Sequence, residues 1–227
     1  MLRNVILSKL KPSDQERLQS SLMHQHLEEG RALANAFEPI GHVYFPLSGL
    51  LSFVVDLPGG GAIETGMVGR DGVFGASHAL DERLALNRTT VQMPGEVFSI
   101  PSSDFTRIVL DMPDLRKFTL GYEQFFLAQV QQTAACNALH TVLQRMCRWL
   151  LRIQYLVGDE FPLTQEFLSQ MIGVRRTSVT TVAQQLQAAG LIEYKRGQMS
   201  VKDREGIRSW ACECDDEILS RFQEFSR

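Results

Sequence analysis

The sequence predicts an α+β chain: a roll of short antiparallel strands, then a long helix, then two short helices followed by a β-hairpin. Three observations predict it. From about His24 to Phe98, short runs of β-forming residues are broken by glycine and proline. After Pro113, some 44 residues pass to Val157 with no proline and a single glycine, Gly121. Residues 161–201 then change register again, to strand, helix, glycine turn, helix and hairpin. A length of 227 residues suits one domain of about 100 to 150 residues with a smaller one attached. The expected parts are 1–113 for the roll, 114–138 for a dimerisation helix and 139–227 for the remainder.

Composition excludes several classes. With 44% hydrophobic and 22% charged residues the chain is neither disordered nor collagen-like. Its four cysteines (Cys136, Cys147, Cys212, Cys214) lack the spacing of a disulfide framework and fit a reducing compartment, so the cytoplasm is expected. The start lacks the apolar run of a signal peptide, and no stretch of about 18 apolar residues occurs, so no membrane partner is expected. The net charge of −3 hides a division. Residues 1–138 hold 11 Lys and Arg against 15 Asp and Glu, whereas residues 139–208 hold 10 against 6. A basic segment joined to an acidic one fits a polyanion-facing module, although a solvated surface can carry the same excess.

In chain order, Pro12-Ser13 opens a first helix, with Ser13 as cap and Glu16 closing a capping box. HVYFPL, LLSFVVDL and TTVQM alternate as half-buried strands do, and Pro58-Gly59-Gly60-Gly61 is a hairpin loop. Ser102-Ser103-Asp104 starts another helix. The stretch after Pro113 is one long helix or two in series, and a hinge is expected at Asn137-Ala138. On it Phe118, Tyr122, Phe125, Phe126, Gln129, Val130, Thr133 and Cys136 recur at steps of three and four. Such a stripe either lies on the roll or pairs with its copy in a homodimer. A stripe on a helix of about 36 Å exceeds what a small roll covers, which favours a dimer interface of Phe118, Tyr122, Phe125, Phe126, Gln129 and Thr133.

Residues 161–201 carry the chemistry. Thr164 caps a short helix with Phe167, Leu168 and Met171 inward, and Gly173 turns the chain. A second helix buries Val179, Val182, Ala183 and Leu186 and stops at Gly190, and a hairpin through Lys195-Arg196-Gly197-Gln198 follows. This is a winged helix-turn-helix. The outward face of the second helix presents Arg175, Arg176, Thr177, Ser178, Thr180, Thr181 and Gln184, and no acidic residue occurs between Glu166 and Glu193. Arg can donate bidentate bonds to guanine, Gln can bond adenine, and Ser and Thr can meet phosphates or a thymine methyl. A solvated face would carry Glu as often as Lys. With Thr164, Lys195 and Arg196 these residues are the expected contacts to double-stranded DNA.

Over nearly its whole length the chain resembles the Crp/Fnr family of bacterial transcription regulators. The carrying residues are Gly69–Gly75 (GRDGVFG), similar to that family's sensor turn, and LTQEFLSQMIGVRRTSVTTVAQQLQAAGLI, similar to its DNA-binding signature. The resemblance implies a β-roll of the cyclic-nucleotide-binding type, a long dimerisation helix, a near-palindromic operator, RNA polymerase as a partner, and a small effector held by Gly75, Ala76, Arg88 and Thr89. Arg88-Thr89 matches the phosphate-holding pair, but Ala76 stands where a ribose-holding Glu belongs, so a ligand other than cyclic AMP is expected. Arg88 either clamps an anion or pairs with Asp71 or Asp81. The first cysteine is Cys136, so the iron-sulfur cluster held by N-terminal cysteines in some relatives is not expected.

Other constellations offer less. Cys212-x-Cys214 reads as a redox pair or half a metal site with no second pair near it, and His24, His26, His42, His78 and His140 are scattered, so no metal is expected. No P-loop, nucleophile elbow or HExxH occurs, and no catalytic residue is assigned. The rival class is a dimeric scaffold acting through protein contacts alone.

Overall fold

Residues 3–81 and 83–225 are described in a computed structural model. They divide into two compact units: residues 1–54 with 67–126, and residues 55–66 with 127–227.

The first unit begins with α1 (Val5–Ser8) and α2 (Pro12–Gln19). Asn4 anchors α1. Its carboxamide donates to the Pro46 and Gly72 carbonyls and its oxygen caps Leu7 N–H, so a fully buried polar side chain has all its bonds made. The cap expected at Ser13 is instead Lys11, and no capping box forms, because Pro12 occupies the first helical position, where its missing N–H costs nothing.

Seven strands follow: β1 (Met23–Leu27), β2 (Ala32–Ala34), β3 (His42–Pro46), β4 (Leu50–Asp56), β5 (Ala62–Val68), β6 (Arg88–Met93) and β7 (Gly95–Pro101), with helix α3 (Ala76–Asp81) before β6. The alternating runs fold as the period of two dictates, into one sheet of order β1-β7-β3 and another of order β2-β6-β4-β5. Phe74 sits in the core, stacked on Tyr44 of β3 at 6.1 Å and edge-on to Phe53 of β4 at 5.5 Å. The Pro58-Gly61 loop closes the β4–β5 hairpin as expected, and its tip is grouped with the second unit.

Helix α4 (Ser102–Leu110) starts where Ser102-Ser103-Asp104 predicted, although Ser102 donates to the Ile40 carbonyl at 2.6 Å rather than capping. The long helical stretch is two helices, α5 (Pro113–Leu139) and α6 (Val142–Val157). The break falls at His140-Thr141, three residues beyond Asn137-Ala138, because Thr141 and Gln144 form a reciprocal capping box that starts α6 there.

The aromatic stripe of α5 is covered by the chain itself. Tyr122 is 1% and Phe125 4% exposed. The Tyr122 ring lies against Gly72, where a Cβ would come within 2.0 Å of it, and Phe126 packs on Phe53 at 4.6 Å. Gln129 is buried and accepts from Arg152 at 3.0 Å, Thr133 accepts from Arg148 at 3.4 Å, and Phe118 lies under Lys9. The stripe therefore does not require a partner's cover, contrary to the expectation from its length. What α5 leaves exposed is another row, Leu120, Gln124, Leu127, Gln131, Ala134 and Ala138, again at steps of three and four, with Leu120 44% and Leu127 57% exposed.

The second unit continues from α6 through β8 (Glu160–Pro162), α7 (Gln165–Ile172), α8 (Arg176–Ala188), β9 (Ile192–Lys195), β10 (Gln198–Val201), α9 (Arg204–Trp210) and α10 (Cys214–Phe225). Strands β8, β10 and β9 form a sheet in that order. Among the described residues no helix is long and apolar enough to cross a membrane.

Candidate nucleic-acid interface and sensor pocket

Helices α7 and α8 are held from behind by α6, and β9 of the β9–β10 hairpin packs on α8. Thr164 caps α7, its hydroxyl oxygen accepting from Phe167 N–H at 3.1 Å, and Gly173 ends it in the left-handed conformation at φ 66°. Phe167 packs on Trp149 of α6 at 5.9 Å, and the Arg145 guanidinium of α6 donates to the Ile172 carbonyl at the turn. Val179, Val182, Ala183 and Leu186 bury one side of α8, as its period predicts. The other side leaves Arg175, Arg176, Thr177, Thr181 and Gln184 exposed, and Ser178 and Thr180 half-buried.

The start of α8 is unlike its neighbours. Helices α6, α7 and α9 each receive a side-chain cap, from Thr141, Thr164 and Asp203, whereas the capping position of α8 is Arg175, which makes no such bond. The first amides of α8 are thus left to an outside acceptor, with two arginines beside them. In the hairpin, Arg196 and Gly197 both take positive φ, 52° and 78°, which lifts Lys195 and Arg196 to the tip, both exposed.

Two readings of this surface change. Thr180 and Thr181 donate their hydroxyls to the Arg176 and Thr177 carbonyls at 3.0 and 3.1 Å, and Thr180 Oγ1 also lies 2.9 Å from Gln165 Oε1. With the hydroxyl proton engaged, they offer a ligand their methyl groups rather than a donor. The basic excess of residues 139–208 also overstates the surface charge, because Arg148 and Arg152 are buried on α6 against Thr133 and Gln129.

In the roll, the glycine-rich turn ends at Gly75, at φ 88°, where a Cβ would lie 2.8 Å from the His42 carbonyl oxygen; only glycine fits. Ala76 and Thr89 are buried, and Arg88 is half-buried at the start of β6, opposite Val54 of β4. Of the expected pocket residues, Ala76 and Thr89 thus face the core. A carboxylate missing from position 76 arrives from elsewhere: Glu123 of α5 accepts from both the hydroxyl and the backbone N–H of Ser77 in α3. Burial raises the Glu123 pKa, and these two bonds hold it down in part. Sequence reading missed Glu123, since nothing in a helical carboxylate 46 positions away signals that pairing. Ala76 itself brings no carboxylate to the turn, and the Ser77 amide is already bonded to that of Glu123. His78, half-buried, is pushed down in pKa by desolvation and lines a separate cavity of about 340 Å³ with Pro39, Ile40, Arg83 and Thr106.

The cysteines also differ from expectation. Cys212 and Cys214 do have neighbours: Cys136 Sγ is 3.5 Å from Cys212 Sγ, and His140 Nδ1 is 3.6 Å from Cys214 Sγ. The second pair, Cys136 on the last turn of α5 and His140 just past its end, lies too far away in sequence to be seen as one.

The sequence profile of the cyclic nucleotide-binding domain matches residues 24–111, and that of the Crp-like helix-turn-helix domain matches residues 144–210. No curated protein matches the chain. Among solved structures, FixK2 of Bradyrhizobium japonicum superposes with a TM-score of 0.72 at 13% identity, over 84% of this chain and 98% of that one. The c-di-GMP-responsive global regulator CLP of Xanthomonas campestris gives 0.66 at 16% identity, over 84% and 99%. The Crp-family transcriptional regulator TTHB099 of Thermus thermophilus gives 0.66 at 17% identity, over 82% and 96%. These likenesses establish the fold, an antiparallel roll, a long helix and a winged helix-turn-helix. With the two profiles together spanning more than half of its residues, the chain belongs to the Crp/Fnr family of transcription regulators.

Proposed function

We propose that the chain binds a near-palindromic DNA operator as a homodimer and that a small effector in the roll switches its affinity. The observation that carries the DNA reading is the start of α8: an uncapped helix N-terminus flanked by Arg175 and Arg176 on a helix with no acidic residue. A phosphate satisfies the first amides and is favoured by the helix dipole, which seats the first turn in the major groove. In that seat Arg176 reads a base, Arg175 and Lys195 hold phosphates, and Thr181 can meet a thymine methyl. Two such helices, one from each protomer, reach successive grooves about 34 Å apart. Regulation would then run through RNA polymerase.

The dimer face that the exposure pattern favours is Leu120, Gln124, Leu127, Gln131, Ala134 and Ala138 of α5, whose small and apolar residues at coiled-coil spacing let two copies of the helix approach closely. The effector reading rests on Glu123. An anionic ligand held by Arg88 would compete with the Glu123 carboxylate for Ser77, and displacing Glu123 acts directly on α5, which carries the dimer face. Cyclic AMP is not that ligand, since Ala76 offers its ribose nothing.

Selection from random DNA, followed by titration of binding against salt, tests this reading. A palindromic consensus is expected, with an affinity that falls steeply as salt rises, about 0.9 in log–log slope for each phosphate contact. A scaffold acting only through protein contacts would yield no consensus and no such slope.

A further inference from the structure

We propose that Cys136, His140, Cys212 and Cys214 form a closed tetrahedral site for a zinc-class divalent cation. Their four ligand atoms all lie within 4.8 Å of one another. Zinc bonds of about 2.3 Å to sulfur and 2.0 to 2.1 Å to nitrogen place tetrahedral ligands about 3.6 to 3.8 Å apart. The 3.5 Å between Cys136 Sγ and Cys212 Sγ and the 3.6 Å between Cys214 Sγ and His140 Nδ1 are already at that spacing. An iron-sulfur cluster, whose cysteines bind different irons, would need them farther apart, so one ion fits and a cluster does not.

The surroundings are those of a metal ligand set rather than of core packing. His140 Nε2 lies 3.2 Å from Glu213 Oε1, an arrangement that keeps the proton on Nε2 and leaves the Nδ1 lone pair aimed at Cys214. Apolar packing gives no reason for that orientation. Gln132 Nε2 donates to Cys214 Sγ at 3.1 Å, and its oxygen in turn accepts from Arg221 at 3.0 Å. Three thiolates and a neutral imidazole around a divalent ion leave one net negative charge, and Arg148 acts electrostatically on Cys136 to offset it. The three cysteines are 0, 5 and 2% exposed, which leaves no open position for substrate or water and marks the site as structural.

The sequence spacing now makes sense. Cys136 lies on the last turn of α5 and His140 just past its end, its backbone N–H still bonded to the Cys136 carbonyl at 3.1 Å, and Cys212 and Cys214 straddle the corner between α9 and α10. An ion there fastens the end of α5, immediately before the capped break at Thr141, to the C-terminal helix. The inference stands independently of DNA binding. Its regulatory consequence, that loss of the ion or oxidation of the thiols loosens the hinge and weakens operator binding, rests on the proposed function.

The test is metal content and coordination of the full chain. Protein purified under reducing conditions without chelator should carry about one zinc per chain by elemental analysis. Cobalt(II) loaded into the stripped protein should show the intense visible bands of tetrahedral coordination and a thiolate charge-transfer band. Glu213→Gln leaves all four ligands in place and should weaken zinc binding about 10- to 100-fold, whereas Cys147→Ser, elsewhere in the core, should leave it unchanged. Should Cys214→Ser fail to fold, the cobalt spectrum of the unaltered chain and the Glu213→Gln affinity still decide. Wild-type protein that binds no stoichiometric zinc or cobalt, a cobalt spectrum of octahedral type, or a brown chromophore with acid-labile sulfide would each overturn the site, whatever the DNA experiments show.

Discussion

Trp149 of α6 donates its indole N–H to Glu64 of β5 at 3.1 Å, and both side chains are buried, each 4% exposed. Glu64 lies near the tip of the β4–β5 hairpin, and Ile63 beside it approaches Gly173 of the helix-turn-helix. Trp149→Phe removes one donor from a buried carboxylate, which should cost about 1 to 3 kcal/mol of stability in urea unfolding. Trp149→Phe combined with Glu64→Gln should recover part of that loss. Equal stability of Trp149→Phe and wild type would show that the bond is dispensable.

Arg176→Ala should relax base preference at one position in each half-site and cost about 1 to 3 kcal/mol in operator binding. Lys195→Ala should weaken all sequences alike and lower the salt slope by about 1. An unchanged consensus for the Arg176 variant would remove its base-reading role.

Leu120→Glu with Leu127→Glu should give folded monomers in sedimentation at micromolar concentration, because like charges would face each other across the symmetric helix pair. Phe125→Glu should instead unfold the chain, at a cost above about 3 kcal/mol, because Phe125 is already buried within one protomer. Folded monomers from Phe125→Glu would put the dimer face back on the aromatic stripe.

Glu123 should make stability depend on pH in a direction opposite to that of a salt-bridged acid. Burial raises its folded pKa above the unfolded value of about 4.3, so the folded state holds its proton more tightly. The stability it contributes is full below the unfolded pKa and is lost as pH rises through the folded one. Asp215, also raised by burial, acts in the same direction, so the contribution of Glu123 is read as a difference between variants. Glu123→Gln should raise Tm above wild type at pH 7 to 8, with the gap closing near pH 4. No change in the gap with pH would show that Glu123 is not the titrating group.

The sequence by itself determined the order of parts, because period-two strands, glycine punctuation and the cap-helix-glycine pattern of residues 161–190 are local signals that each element satisfies with its own neighbours. It determined the outward chemistry of α8 as well, since a 13-residue helix with four buried apolar positions leaves no choice about which side faces solvent. Only the tertiary structure decided which face of α5 is spare. Periodicity identifies a face that wants cover but not what covers it, and Gly72 and Phe53 supply the cover from 50 and 73 positions away. The same holds for Glu123 on Ser77 and for the four cation ligands, where Cys136 and Cys212 stand 76 residues apart. Side chains so distant in the chain meet only through packing of the elements that carry them, and no spacing rule within one segment encodes that meeting.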